Sequence, residues 1–187
     1  MRLPPLNVLL TATVLLGSAS ACIVEAPGGA SDQERRAATV AQVPPLSIRS
    51  GANLGGKVEV VGASVQPGRI PVGDQGRVTV FFKVLQPIEE DYLVFVHVED
   101  ADGRMERLNL DHKPAGGLYP TTQWKVGETV KDEFVIALPQ GATPRALNVW
   151  MGLWEPRNDS RLPLTNPDAV RNDGRGRILL AQVPVGG

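Results

Sequence analysis

The sequence predicts an all-β domain, an antiparallel sandwich of seven to eight short strands, on three observations. Beyond residue 56 the apolar residues come in short segments, some alternating with a period of two and some continuous, parted by Gly, Pro, Asn and Asp. No window there has a convincing 3.6-residue period, which argues against helices. The chain of 187 residues also holds 20 Gly and 16 Pro, enough punctuation to cut it into strands and turns. This spacing fits a sandwich of immunoglobulin-like type, with a jelly roll as the competitor.

Taken in order, residues 1–21 form a leader. One charge, Arg2, precedes an apolar run through Val8-Leu9-Leu10 and Val14-Leu15-Leu16 that ends in small residues at Ala21. This is the layout of a secretory signal peptide, and its apolar part is too short to span a bilayer at roughly 20 residues per crossing. Cys22, the only cysteine, follows at once. The run Leu15-Leu16-Gly17-Ser18-Ala19-Ser20-Ala21-Cys22 resembles the lipobox of bacterial lipoproteins. That resemblance implies cleavage before Cys22, a diacylglyceryl group on its thiol, and fatty acylation, such as palmitate, of the new amino group.

Ala19 stands where that family most often has leucine, and Ala19-Ser20-Ala21 also satisfies the A-x-A rule for release of a soluble protein. A lone cysteine favours the lipid, because it has no partner for an internal disulfide. Two or three acyl chains, at about 0.8 kcal/mol per buried methylene, hold such a protein on the membrane permanently. Ile23 after the cysteine resembles the pattern that sends lipoproteins to the outer membrane. The expected location is therefore the cell envelope, lipid-anchored, with the outer membrane ahead of the inner.

Removing residues 1–21 leaves 19 − 1 = 18 basic residues against 20 acidic ones, a net charge of about −2 with His neutral. There is no basic stripe and no aromatic, arginine-rich patch, so no nucleic acid partner is expected. Residues 22–56 include Ala26-Pro27-Gly28-Gly29, Ser31-Asp32-Gln33-Glu34-Arg35-Arg36 and Val43-Pro44-Pro45, with few large apolar residues. They read as a flexible tether, its ends roughly 30 Å apart, that lifts the domain clear of the headgroups. The alternative is an edge strand over residues 40–48.

The domain proper is expected over residues 57–187. Residues 57–65 alternate Val58, Val60 and Gly62 against Glu59 and Val61, and stop before Pro67-Gly68. Residues 77–85 contain Val78-Thr79-Val80-Phe81-Phe82, whose consecutive apolar residues call for cover on both faces. Residues 91–100 carry Tyr92-Leu93-Val94-Phe95-Val96-His97-Val98, and Asp102-Gly103 then turns the chain into a hairpin partner at Met105-Glu106-Arg107-Leu108. A long connection, residues 111–128, precedes strands at 129–138 and 145–154. A loop rich in Asn, Asp, Arg and Pro follows, and residues 177–185 close the domain.

Asp111-His112-Lys113-Pro114, Gly116-Gly117-Leu118-Tyr119-Pro120-Thr121, Trp124, Gly127-Glu128, Asp132 and Gly152-Leu153-Trp154 together resemble a known bacterial module. It is the extracytoplasmic β-sandwich that trails some membrane-embedded sugar-transferring enzymes and also occurs alone behind lipoprotein leaders. The resemblance spans residues 57–183. It implies an immunoglobulin-like fold and no known activity.

The search for chemistry points away from an enzyme. No G-x-S-x-G nucleophile elbow is present, and the two histidines are His97 and His112. His97, in phase with Leu93 and Phe95, reads as a buried imidazole with hydrogen-bond partners. His112 beside Asp111 is a candidate ligand or base, against the plainer reading of a loop side chain that satisfies its own backbone. Two histidines and unpatterned acids do not make a zinc site. Glu89-Glu90-Asp91, Glu99-Asp100-Asp102 and Asp168-Asn172-Asp173 lack the twelve-residue calcium-loop spacing and read as charged turns. No metal or cofactor is expected.

The aromatic residues supply the binding hint. Over residues 145–154 a period of two puts Leu147, Val149, Met151 and Leu153 on one face and Asn148, Trp150, Gly152 and Trp154 on the other. Two indoles flanking a glycine make a flat platform suited to a sugar ring or a partner protein, with Tyr119, Trp124 and His112 as lips from the long loop. The alternative is that loop 111–128 folds over Trp150 and Trp154 and buries both. The function expected is a lipid-anchored, non-catalytic binding or assembly module of the bacterial envelope, recognising a protein partner or glycan. An envelope enzyme with an unrecognised site and a structural spacer subunit of a larger membrane complex are the alternatives.

Overall fold

The computed structural model describes residues 29–186; the leader and Cys22 lie outside the described residues. In chain order a helix α1 (Asp32–Ala38) leads into β1 (Thr39–Val40), β2 (Ile48–Leu54), β3 (Val58–Gln66), β4 (Gln75–Val84) and β5 (Leu93–Asp100). Then follow β6 (Leu108–Asn109), β7 (Thr129–Ala137), β8 (Ala146–Glu155), β9 (Ser160–Arg161) and β10 (Ile178–Pro184). One antiparallel sheet has the order β1-β7-β4-β3-β2; the other has β10-β8-β5-β6, with β9 added beside β8. The all-β sandwich expected from the sequence is the observed fold. Three of its ten strands, β1, β6 and β9, are only two residues long, which accounts for the larger number.

The core is the space between the sheets. Val78, Val80, Phe82 and Val84 of β4 and Val130, Phe134 and Ile136 of β7 face Val94, Val96 and Val98 of β5 and Leu147, Val149, Met151 and Leu153 of β8. All are buried, and each contributes about 1.5–3 kcal/mol through the apolar area removed from water. β4 and β7 pair without interruption from Gln75↔Ala137 to Lys83↔Thr129, so they form the rigid spine of the first sheet.

Residues upstream of Lys57 depart from the expected tether. Ser31 caps α1: its hydroxyl accepts from the Glu34 N–H at 3.2 Å, while the Glu34 carboxylate takes the Ser31 N–H at 2.7 Å, a closed capping box. Arg35 then reaches Glu128 at 2.8 Å. β2 pairs with β3 through a register shift between Arg49 and Ala52, and that bulge is what breaks the period of two in Ile48-Arg49-Ser50-Gly51-Ala52-Asn53-Leu54. The alternative strand at 40–48 falls between β1 and β2 and does not form as such. Gly62 permits this arrangement: at φ 152° it lets β2 come so close that a Cβ would lie 2.1 Å from the Ile48 carbonyl oxygen.

The outer edge of β2 is closed by residues 164–166. Leu164 bridges Leu54, the Thr165 N–H donates to the Asn53 carbonyl at 2.9 Å, and the Asn166 amide exchanges bonds with the Asn53 N–H (2.8 Å) and the Gly51 carbonyl (2.9 Å).

Candidate functional site

The outer face of the second sheet follows from one register. β5 and β8 pair Leu93↔Trp154, Phe95↔Gly152, His97↔Trp150 and Glu99↔Asn148, so these eight side-chain positions share a face. Phe95 lies down over Gly152, where a Cβ would stand 2.6 Å from its ring carbons. The glycine between the two indoles is thus a seat for a phenyl ring.

Two arginines of the β8–β10 connection reach over this face. Arg161 stacks on Phe95, its guanidinium carbon 4.6 Å from the ring centroid, and Arg177 stacks on Trp150 at 5.1 Å. Arg177 is clamped by Glu99 at 2.8 Å and Asp173 at 2.6 Å, and it donates from Nη1 to His97 Nδ1 at 3.3 Å. Trp150 is therefore capped, and its Nε1 is buried with no hydrogen-bond partner among the described residues. Trp154 is held by its edge, Nε1 donating to Asp159 Oδ1 at 3.0 Å.

Beside Trp154 a cleft of about 150 Å³ opens, lined by Phe95, His97, Asp111, Trp154, Asp159 and Arg161. Asp111 uses Oδ1 to accept from the Val96 N–H at 2.9 Å; its other oxygen, like Asp159 Oδ2, has no partner among the described residues. Arg161 donates once, to the Arg175 carbonyl at 3.0 Å, and has no carboxylate partner among the described residues. A guanidinium only donates, so His97 Nδ1 accepts and the ring proton sits on Nε2. Burial, then Arg107, with Arg177 and Arg161 adding to it against Asp111, pushes the His97 pKa down, which keeps the ring neutral with its Nε2–H free to donate. The cleft thus presents two spare acceptors, two donors and an aromatic wall.

Of the residues singled out from sequence, the structure brings Trp150 and Trp154 together on this face and leaves Tyr119, Trp124 and His112 away from it. Tyr119 and Trp124 are buried: the Trp124 ring lies 5.7 Å from that of Phe82 and donates from Nε1 to the Tyr119 carbonyl at 2.9 Å. Tyr119 Oη sits 2.7 Å from both the Gln123 carbonyl and Glu128 Oε2, and burial with the Glu128 hydrogen bond raises its pKa. Beyond Asp111, which lines the cleft, the loop 111–128 has apolar residues that insert between the sheets at one end, so the rest of it plugs the core. Trp150 is covered instead by Arg177, from the β8–β10 connection.

His112 closes the same end. Residues 110–112 run beside β5, the His112 N–H donating to the Val94 carbonyl at 3.0 Å. Its ring spans to β7, with Nε2 2.8 Å from Asp132 Oδ2 and Nδ1 2.7 Å from the Leu110 carbonyl. Asp132 is fully buried and also accepts from the Ala115 N–H at 2.8 Å. Burial works against a charged imidazole, but the Asp132 hydrogen bond and charge and the Leu110 carbonyl outweigh it and raise the His112 pKa. Neither ring nitrogen is left for a ligand. Asp100 and Asp102 are likewise spent on turns, Asp102 taking Arg145 at 2.9 and 3.1 Å. Among the described residues no group of three or more His, Cys, Asp or Glu is placed to hold a metal ion.

No family model matches this sequence, and no curated protein sequence does either. Among solved structures, the C-terminal domain of Wzt matches with a TM-score of 0.50 at 11% identity, covering 76% of this chain and 83% of that one. The likeness is one of fold. It sets this chain beside another sandwich domain and transfers no residue of the cleft. A Pseudomonas fluorescens alkylpurine DNA glycosylase, AlkC bound to DNA with an abasic-site analogue, matches at a TM-score of 0.37 and 12% identity over 71% of this chain and 31% of that one, too low to carry an argument.

Sequence reasoning missed Phe95, Asp111, Asp159, Arg161 and Arg177 as members of the site. The signal for Phe95 was present, since a large ring on one strand needs a glycine opposite it on the next. The others sit on loops, whose course the strand pattern does not set.

Proposed function

We propose that the protein is a lipid-anchored, non-catalytic module of the bacterial envelope that takes a sugar ring in the cleft beside Trp154. One observation carries this: a single small cleft joins an aromatic wall to spare acceptors on Asp111 and Asp159 and spare donors on Arg161 and His97. A pyranose has C–H faces that stack on an indole and hydroxyls that both donate and accept, so it needs that mixture. Asp111 and Asp159 each commit one oxygen to fixing the cleft's own walls, which suits holding a ligand better than passing a proton. The exposed large hydrophobic residues among those described, Val72, Leu118 and Val126, are scattered and build no broad apolar patch for a protein partner on this face.

Anchoring at Cys22 and an outer-membrane address rest on the lipobox-like run and on Ile23. Tryptophan fluorescence titration against a panel of bacterial envelope oligosaccharides tests the reading. A saccharide should bind, and Trp154→Ala should weaken it at least tenfold, about 1.4 kcal/mol, with little change in melting temperature. Absence of binding across the panel, or binding indifferent to Trp154→Ala and Asp159→Asn, overturns it.

A further inference from the structure

We infer that the anchor holds one particular end of the sandwich against the bilayer, the end that carries Val126. This rests on lipidation of Cys22 as proposed above. The described chain enters the domain at that end: the Ala30 N–H donates to the Gln123 side chain, and Gly29, Leu118 and Gln123 line one groove beside α1. Arg35, one turn into the helix, is tied to Glu128 at 2.8 Å. Only residues 23–28 separate Cys22 from Gly29. Seven Cα steps from residue 22 to residue 29 reach at most about 25 Å even when fully extended. The long spacer expected from sequence shrinks to this length because α1, β1 and β2 belong to the domain.

The two ends of the sandwich are distinguished by β4. Its last residue, Val84, exchanges backbone bonds with Gly127 and Glu128, at 3.0 Å each, so Val126 lies just beyond that end. Its first residue, Gln75, follows the turn in which the Asp74 N–H donates to the Pro71 carbonyl at 3.1 Å, so Val72 lies beyond the other. β4 is 10 residues long, which at about 3.3 Å per residue separates the two valines by roughly 30 Å. Val126 is 57% exposed. A short tether presses the Val126 side chain into the interfacial layer, where burying it is favourable. The β4–β5 connection at this end carries Glu89 and Asp91, and the neighbouring loop carries Lys125, so the end holds charges of both signs and the contact does not depend on anionic lipid.

Because Cys22 is the only cysteine and is consumed by the anchor, a second cysteine can be labelled alone. The mature full-length protein carrying Val126→Cys or Val72→Cys is labelled with an environment-sensitive fluorophore and reconstituted into vesicles of phosphatidylethanolamine and phosphatidylglycerol, with a quencher attached to the lipid headgroups. The label at 126 should lose most of its emission and the label at 72 should keep it, at low and at high salt. Equal quenching at the two positions, or the reverse order, with Cys22 lipidated by mass spectrometry, overturns the orientation and leaves the anchor standing. An unmodified Cys22 in the same sample overturns both.

Discussion

The buried pair of His112 and Asp132 makes a prediction that depends on sign as well as size. Asp132 is fully buried and has two donors, the His112 ring and the Ala115 N–H. His112→Gln removes the positive partner and leaves the carboxylate between the sheets with at best a neutral amide donor beside the Ala115 N–H. Removing one member of a buried pair costs about 3–5 kcal/mol, and the His112 side chain is 21% exposed, so solvent screening brings the expected loss to about 3 kcal/mol. In a domain of this size 1 kcal/mol moves the melting temperature by about 2–4 °C, which makes the drop roughly 6–12 °C. The folded-state pKa of His112 is raised. The stabilisation is therefore complete below the unfolded value near 6.5 and is lost as pH rises through the folded value. Melting followed by circular dichroism from pH 5.5 to 9 should fall for the wild type across that window, while His112→Gln starts lower and lacks this fall. A wild-type profile parallel to that of the variant at every pH refutes the paired imidazolium.

Gly152→Ala places a methyl group 2.6 Å from the Phe95 ring and should destabilise the domain by about 1–3 kcal/mol through overpacking, read by chemical denaturation; an unchanged midpoint means that the ring does not rest there. Trp150→Ala strips the surface on which Arg177 stacks and, at a partly buried site, should cost about 2–3 kcal/mol in the same assay, somewhat less than a tryptophan deleted from a core, whereas Trp154→Ala should cost under about 1 kcal/mol. Equal losses at the two positions contradict the division between a capped and an accessible indole. Cys22→Ser should move the protein from the membrane fraction to the soluble one or leave an uncleaved precursor, and wild-type protein found soluble with an unmodified Cys22 rules out the lipid.

What was legible in the sequence was what the core enforces. The continuous apolar runs around Val78-Phe82 and Val94-Val98 mark β4 and β5 because these strands are covered on both faces, and the clean alternation Leu147, Val149, Met151, Leu153 marks the inner face of β8. The same double cover hid the outer face of β5. Phe95 and His97 are as buried as their inward neighbours, so no periodicity separates them. β2 was lost to its bulge. α1 was lost because Ala38 alone among its residues is buried, although Ser31 and Glu34 had the spacing of a capping box. The two long loops both contain Gly, Pro and aromatic or charged residues, and only the third dimension shows that Tyr119 and Trp124 enter the core while Arg161 and Arg177 reach over the outer face.

The connection between β8 and β10 serves several ends at once. Asp159 and Arg161 belong to the cleft, residues 164–166 seal the free edge of β2, and Asp173 and Arg177 clamp the cover over Trp150. The proposed ligand cleft and resistance to edge-to-edge polymerisation therefore travel on one stretch of chain. Relatives can diversify by exchanging side chains at 159 and 161 while the backbone keeps its length. An insertion or deletion there would shift residues 164–166 off the strand they cover and open a template for aggregation, so variation in this loop is expected in letters and not in length.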